Sequence, residues 1–286
     1  MTAQTATAEP VFAPKPHAVE ALFGRRKVAI GVIHALPLPG APRYEGMPAE
    51  AIYAHAVAEA RRYRENGIDG LIVENHGDIP FAKPDEIGPE TSAVMAVMAD
   101  RVRAAVGGPI GVNVLANAPL HALACAKAAG ADFIRVNQWA NAYVANEGFM
   151  EGRAGAATRF RAFIGARDVR VFADVHVKHG AHAIVADRPL EEMARDAEFF
   201  DADAIIVTGQ RTGDAAEPGE LALFAGATTL PVMVGSGVTE ANVGGILAHA
   251  DAVIVASSLK VDGRWWNEVE PTRVRAFMAA VERVRG

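Results

Sequence analysis

The run "ADVHVKH" sets Asp174, His176 and Lys178 at alternate positions as the chain leaves an apolar stretch. Alternate residues of an extended chain share a face, so the three converge if the strand continues. Burying such a set is costly unless its members pair with one another or act on a ligand. A lysine beside an aspartate and a histidine can form a Schiff base with a carbonyl, or move a proton once its pKa is lowered. Other apolar runs also end in polar side chains. His34 closes "KVAIGVIH", and Glu74 and Asn75 close "DGLIVEN", with His76 and Asp78 just beyond. Asn113 lies in "IGVNVL" before Asn117, Arg135 and Asn137 alternate in "DFIRVN", and Thr208 ends "DAIIVT". Lys178, His176, Asp174 and Glu74 are therefore the candidate catalytic residues. His34, Asn75, Asn113, Arg135, Asn137 and Thr208 are the candidate substrate ligands. Asp174, His176 and Glu74 also offer imidazole and carboxylate donors suited to a divalent metal. No HExxH or paired CxxC adds to that reading, so no cofactor is evident.

Such residues need a scaffold that brings strand ends together. Short β-branched runs alternate with longer amphipathic ones along the chain. Strands are expected at 27–33, 69–75, 110–115, 132–137, 169–175, 203–208, 231–236 and 251–257. Helices are expected at 48–66, 90–106, 119–129, 153–166, 189–202, 217–227, 239–250 and 270–285. Prolines 48, 119, 189 and 271 mark helix starts, and Gly67 and Gly130 mark ends. The strand runs are apolar almost throughout, as parallel strands covered on both faces are. Eight βα units in 286 residues predict a (β/α)₈ barrel, with an open doubly wound sheet as the competitor. No Pro/Gly/Ser-rich linker divides the chain, so residues 21–286 are expected to form one domain behind a loose arm at 1–20.

This fold places its chemistry at the carboxyl ends of the strands, and often binds phosphate with the loops after strands seven and eight. The seventh run ends "GSGVTEAN" and the eighth ends "VASSLKVDG". Backbone N–H groups left bare at a helix N-terminus hold an anion, although glycine also serves tight turns for purely geometric reasons. Thr239 suits an N-cap. Gly235, Ser236, Gly237, Ser257, Ser258 and Lys260 are the expected phosphate site. The loop "TGQRTGDAAEPG" (208–219) has the composition of an active-site cover or of an ordinary surface loop.

A net charge of −6 argues against a general nucleic-acid binder, and the 51% hydrophobic content supplies a large core. Cys125, the single cysteine, cannot form an internal disulfide, and in its helical stretch it reads as a buried small residue. There is neither a secretory signal nor a run of roughly 20 apolar residues, so a cytoplasmic protein is expected. Adjacent Trp265 and Trp266 could pack under the last helix, anchor a protein partner or serve a homo-oligomer interface.

The motifs "VIHALPLPG", "IVENHGDIPF", "GVNVLAN", "IRVNQW", "ADVHVKH", "VTGQRTG", "VGSGVT" and "SSLKVDG" resemble, in order, those of the BtpA/SgcQ family, from about Lys27 to the C-terminus. The resemblance implies a TIM barrel of the ribulose-phosphate-binding type. Members in photosynthetic organisms are linked to photosystem I accumulation, while others sit among sugar-metabolism genes. The chain departs from the family at Ser257, where a glycine is more usual; a serine amide still donates. Two functions follow as expectations. One is an enzyme acting on a small phosphorylated sugar or related metabolite, as isomerase, epimerase or carbon–carbon lyase. The other is an assembly or biogenesis factor that uses the barrel for protein interaction without turnover.

Overall fold

The computed structural model describes residues 13, 15–177, 180–208 and 218–286. Its strands, in chain order, are β1 (Val28–His34), β2 (Gly70–Glu74), β3 (Ile110–Asn113), β4 (Phe133–Val136), β5 (Ala142–Ala145), β6 (Gly148–Glu151), β7 (Arg170–Val175), β8 (Ala204–Val207), β9 (Val232–Val234) and β10 (Ala252–Val255). All but β5 and β6 are parallel and close a barrel in the order β1-β10-β9-β8-β7-β4-β3-β2. The helices are α1 (Ala18–Phe23), α2 (Ala49–Arg64), α3 (Pro89–Val106), α4 (Pro119–Ala129), α5 (Ala154–Phe163), α6 (Leu190–Phe199), α7 (Pro218–Ala227), α8 (Val243–His249) and α9 (Pro271–Arg285). The eight expected strands are the eight barrel strands, shorter by one or a few residues at most ends.

Alternation along the strands explains both the core and the site. Val28, Ile30, Val32, Ile72, Phe133, Phe172, Ala204, Ile206, Met233, Ala252 and Ile254 form the inner cluster of the barrel. Outward-facing Ala29, Ile33, Leu71, Val73, Val112, Ile134 and Val253 join the larger cluster beneath the helices. One step of two beyond the inner apolar layer, the same face carries His34, Glu74, Arg135, Asp174, Thr208 and Gly235. The top of the barrel interior is therefore polar because the apolar filling stops one layer short of the strand ends.

Gly111 occupies an inward position because Phe133 fills the space beside it: a methyl there would sit 2.2 Å from Phe133 Cε2. Phe133 cannot retreat, since its ring stacks on Phe172 at 4.6 Å and is fully buried. Gly111→Ala is expected to destabilise the protein by about 1–3 kcal/mol through overpacking. A lower urea midpoint at constant slope would register the change; an unchanged midpoint would contradict it.

Three features differ from the sequence expectation. Residues 18–20 belong to α1, not to a loose arm: Ala18 and Val19 are buried and close one end of the inner cluster with Leu22 and Phe23. Between β4 and α5 the chain forms the antiparallel hairpin β5–β6, two short strands whose period is weak in isolation. The helix after β9 begins at Val243 with Asn242 as its N-cap, not at Thr239. The Asn242 side chain makes no capping bond to the helix; it ties the preceding loop, accepting from Thr239 N at 2.7 Å and donating to Gly237 O at 2.8 Å. Lys178 and residues 209–217, most of the expected cover loop, lie outside the described residues.

Candidate functional site at the carboxyl ends of the strands

A cavity of about 850 Å³ opens at the carboxyl ends of the barrel strands. Its walls include His34, Glu74, His76, Arg135, Asn137, Asp174, Thr208, Gly235, Ser236, Gly237, Ser257 and Ser258. Three sectors follow the strand order.

The first sector is built by β1, β2 and β3, which present His34, Glu74 and Asn113 at one level: His34 pairs with Glu74 and Glu74 with Asn113 in the strand register. Asn113 is buried beneath the cavity and donates Nδ2–H to Glu74 Oε2 at 2.6 Å. Glu74 Oε1 accepts from His76 Nδ1 at 3.1 Å and lies 3.8 Å from His34 Nε2. His34 donates from Nδ1 to the carbonyl of Trp265 at 3.0 Å. The two imidazoles stack at 4.5 Å, and the Trp265 ring meets both edge-on. Burial drives the His34 imidazole down to about 3, beyond what the nearby Glu74 charge restores. Burial alone would raise the Glu74 carboxyl, but the His76 hydrogen bond and the positive charge of Arg135 hold it below the usual range. Glu74 is therefore a carboxylate and His34 a neutral ring near neutral pH.

β4 and β7 form the second sector. Arg135 grips Asp174 through both Nε (3.1 Å) and Nη2 (3.0 Å), and Asn137 adds a hydrogen bond of 3.3 Å. Burial opposes the charged guanidinium, yet Asp174 and Glu74 more than offset it and keep Arg135 protonated. Geometry of this kind orients polar substrate atoms while its own charges cancel.

The third sector is formed by the loops after β9 and β10. A side chain at Gly235 would strike Ile206 Cγ2 at 2.5 Å and crowd Arg135 Nη2 at 3.3 Å, so glycine here leaves room for the neighbouring inward residues. Gly237 has φ +68°, a conformation that favours glycine. Packing thus accounts for Gly235 and turn geometry for Gly237, and bare donors accompany them. Among the described residues, the amides of Gly237, Ser257 and Ser258 meet no acceptor.

Three expected site residues stand elsewhere, and the amide of a fourth, Gly235, is already spent. Lys260 is buried behind the barrel wall, where Nζ donates to Glu59 Oε2 at 3.0 Å, and it does not reach the cavity. Asn75 is consumed by the fold: it donates to Asp78 Oδ2 (2.9 Å) and Leu115 O (3.2 Å) and accepts from Leu115 N (2.7 Å). The Gly235 amide already donates to Val207 O at 2.9 Å. His176 leaves the shared face of Asp174, because β7 ends at Val175 and His176 takes φ +56°. Its ring stacks on His182 at 4.2 Å and lines a smaller cleft on the far side of Asp174. The expected Asp174–His176–Glu74 metal set is therefore dispersed.

Residues not singled out for the site also line it. The hairpin contributes Tyr143, Asn146 and Glu147, and the 263–266 segment contributes Arg264, Trp265 and Trp266. The tryptophan pair was conspicuous in sequence, but nothing local shows that Trp265 packs on His34 and His76. Cys125 is buried, with its thiol pushed up to about 12 by burial, as a packing residue should be.

A closed (β/α)₈ barrel with a polar cavity at the strand carboxyl ends defines the class of the protein. Within it, the chain belongs to the BtpA family, whose family model matches residues 25–283. It is 41% identical over 256 residues to an uncharacterized Archaeoglobus fulgidus protein, covering 90% of this chain and 99% of the relative. It is 38% identical over 260 residues to the photosystem I biogenesis protein BtpA of Synechocystis, covering 91% and 89%. Among solved structures, thiamine phosphate pyrophosphorylase from Pyrococcus furiosus superposes with a TM-score of 0.56 at 16% identity, covering 92% of this chain and 99% of that one. That likeness is one of fold. No helix among the described residues is long and apolar enough to cross a membrane.

Proposed function

We propose that the protein is an enzyme acting on a small phosphorylated sugar or related metabolite, by isomerisation, epimerisation or carbon–carbon cleavage. The reading is carried by one observation: Gly237, Ser257 and Ser258, whose amides meet no acceptor among the described residues, line the same cavity as the His34–Glu74–His76 cluster. Main-chain N–H groups of this kind suit a phosphate, and this fold uses these two loops for that purpose. With the phosphate there, the remainder of a short substrate extends toward β1 and β2, where Glu74 and the two imidazoles serve proton transfer or carbonyl activation. Arg135, Asn137 and Asp174 orient hydroxyl groups from the side. The structurally similar thiamine phosphate pyrophosphorylase carries a phosphorylated compound in its name, which is consistent with this use of the scaffold.

The test is binding of inorganic phosphate and a panel of sugar phosphates, read by calorimetry and by thermal shift. Ser257→Asp places a carboxylate among the donor amides and is expected to weaken phosphate binding about tenfold or more, equivalent to about 1.4 kcal/mol. Equal affinity in the variant and the parent would remove the phosphate site. The name of the Synechocystis relative favours a second reading, an assembly factor without turnover. Native co-purification of a reproducible protein partner, with no response to any phosphorylated compound, would select that reading instead.

A further inference from the structure

We propose that His34, Glu74 and His76 hold a divalent first-row transition ion, such as Zn²⁺, on the cavity wall formed by β1 and β2. Among the described residues they are the one group of three metal-ligating side chains whose donor atoms converge, all within 4.8 Å of one another. The two measured edges fit an ion. Glu74 Oε1 lies 3.1 Å from His76 Nδ1 and 3.8 Å from His34 Nε2. Ligand atoms around a tetrahedral zinc, with bonds of 2.0–2.1 Å, stand roughly 3.4 Å apart.

The surroundings of the three are those of ligands held ready. The Trp265 carbonyl can only accept, so His34 donates to it from Nδ1, and Nε2 is the nitrogen that faces Glu74. An imidazole whose second nitrogen donates to a backbone carbonyl is the usual support for a metal-bound histidine. Asn113 performs the same service for the carboxylate, fixing Oε2 and leaving Oε1 to face the two rings. His34 Nε2 and Glu74 Oε1 face each other at 3.8 Å, a separation an ion between them can bridge. His76 Nδ1–H now satisfies one side of Glu74; on binding, the ring would carry its proton on Nε2 instead, and the cation would take the place of the Nδ1 proton.

His34, Glu74 and His76 all line the cavity, so the ion would keep a coordination position open to substrate. It would act as a Lewis acid, polarising a carbonyl or hydroxyl oxygen of the substrate. β1 is hydrogen-bonded to β10 on one side and to β2 on the other. The ion would therefore stand one strand away from the Ser257–Ser258 amides, which suits a short metabolite carrying phosphate at one end and a carbonyl or hydroxyl near the other. This last step rests on the phosphate reading above; the metal site itself does not.

The experiment is titration of chelator-treated, untagged full-length protein with Co²⁺, followed by visible absorption, with Zn²⁺ as competitor. One saturable equivalent with d–d bands, displaced by Zn²⁺, is expected. His34→Ala and His76→Ala should abolish the bands, and Asn113→Ala should weaken binding about 10–100-fold by freeing the carboxylate. Absence of a saturable signal in the parent, or retention of both signal and affinity in His34→Ala and His76→Ala, would overturn the site. Should the histidine variants fail to fold, Asn113→Ala and Glu74→Gln decide in the same way. Ser257→Asp should keep its cobalt affinity while losing phosphate, so failure of the metal proposal and failure of the phosphate reading are separately visible.

Discussion

Lys260→Met is expected to lower the stability of the protein by about 3–5 kcal/mol, the usual effect of breaking a buried ion pair from one side. Lys260 and Glu59 have side-chain exposures of 2% and 0%, so neither has water to fall back on. Glu59 also accepts the Val269 amide at 3.1 Å and Arg62 at 2.7 Å, and these remaining partners put the expected loss toward the lower end of that range. Burial pushes the Glu59 carboxyl up, but Lys260 and those hydrogen bonds prevail and hold it below its ordinary range. Removing the lysine therefore strands a carboxylate inside the protein. Native domains are stable by only about 5–15 kcal/mol, so the loss should show as a large fall in urea midpoint. The double variant Glu59→Leu/Lys260→Met should recover much of it, because a buried pair replaced as a unit by apolar groups is often tolerated. A single-variant loss below about 1 kcal/mol, the range of surface pairs, would show that the pair is hydrated after all. The ion pair also ties the segment from Lys260 to Val269 to α2, and that segment carries Trp265 to the two imidazoles.

On the enzymatic reading proposed above, Glu74→Gln is expected to reduce turnover by about 10²–10⁴-fold, the range associated with loss of a proton-transfer group. Glutamine keeps the shape of the side chain but lacks the negative charge that faces His34 and His76. Binding of inorganic phosphate should be unaffected, because the donors proposed for it lie on the β9 and β10 loops rather than on β2. Steady-state kinetics beside phosphate calorimetry make the comparison. Turnover within a few-fold of the parent would remove Glu74 from the chemistry, and a parallel loss of phosphate affinity would show a general disturbance of the cavity. Chelation adds a further contrast. If Glu74 acts as a metal ligand, chelation should mimic the substitution and added Zn²⁺ should reverse it in the parent but not in the variant.

Much of the frame was legible in the chain. Apolar runs of six or seven residues, each followed by a helical stretch and several of these punctuated by proline or glycine, specify parallel strands whichever way the chain later turns. Once eight such units close, their polar ends must meet at one mouth. This is how His34, Glu74, Arg135, Asp174 and Thr208 could be assembled from sequence alone. Alternation is a local property, so it also gave their inward orientation correctly while the strand lasted. It failed at His176, one residue beyond the end of β7, where a positive φ turns the ring away from Asp174.

What sequence could not determine is which polar residues meet each other. Pairing of Arg135 with Asp174 depends on β4 lying beside β7, with the β5–β6 hairpin excluded from the barrel. The His34–Glu74–Asn113 level depends on the register between three strands, a property of the closed barrel rather than of any one segment. Lys260 looked like a phosphate ligand because it follows two serines, yet the chain bends after Ser258 and sends it to Glu59, 201 residues away in sequence. His76 and Trp265 become part of the site through contacts with His34, Glu74 and each other, which come from three separate segments. Local sequence thus determined the elements, their inner faces and the end of the barrel where chemistry belongs. Tertiary structure alone decided the partners, because a charge or a lone pair is assigned its role by what lies within a few ångströms, and those neighbours come from strands far apart along the chain.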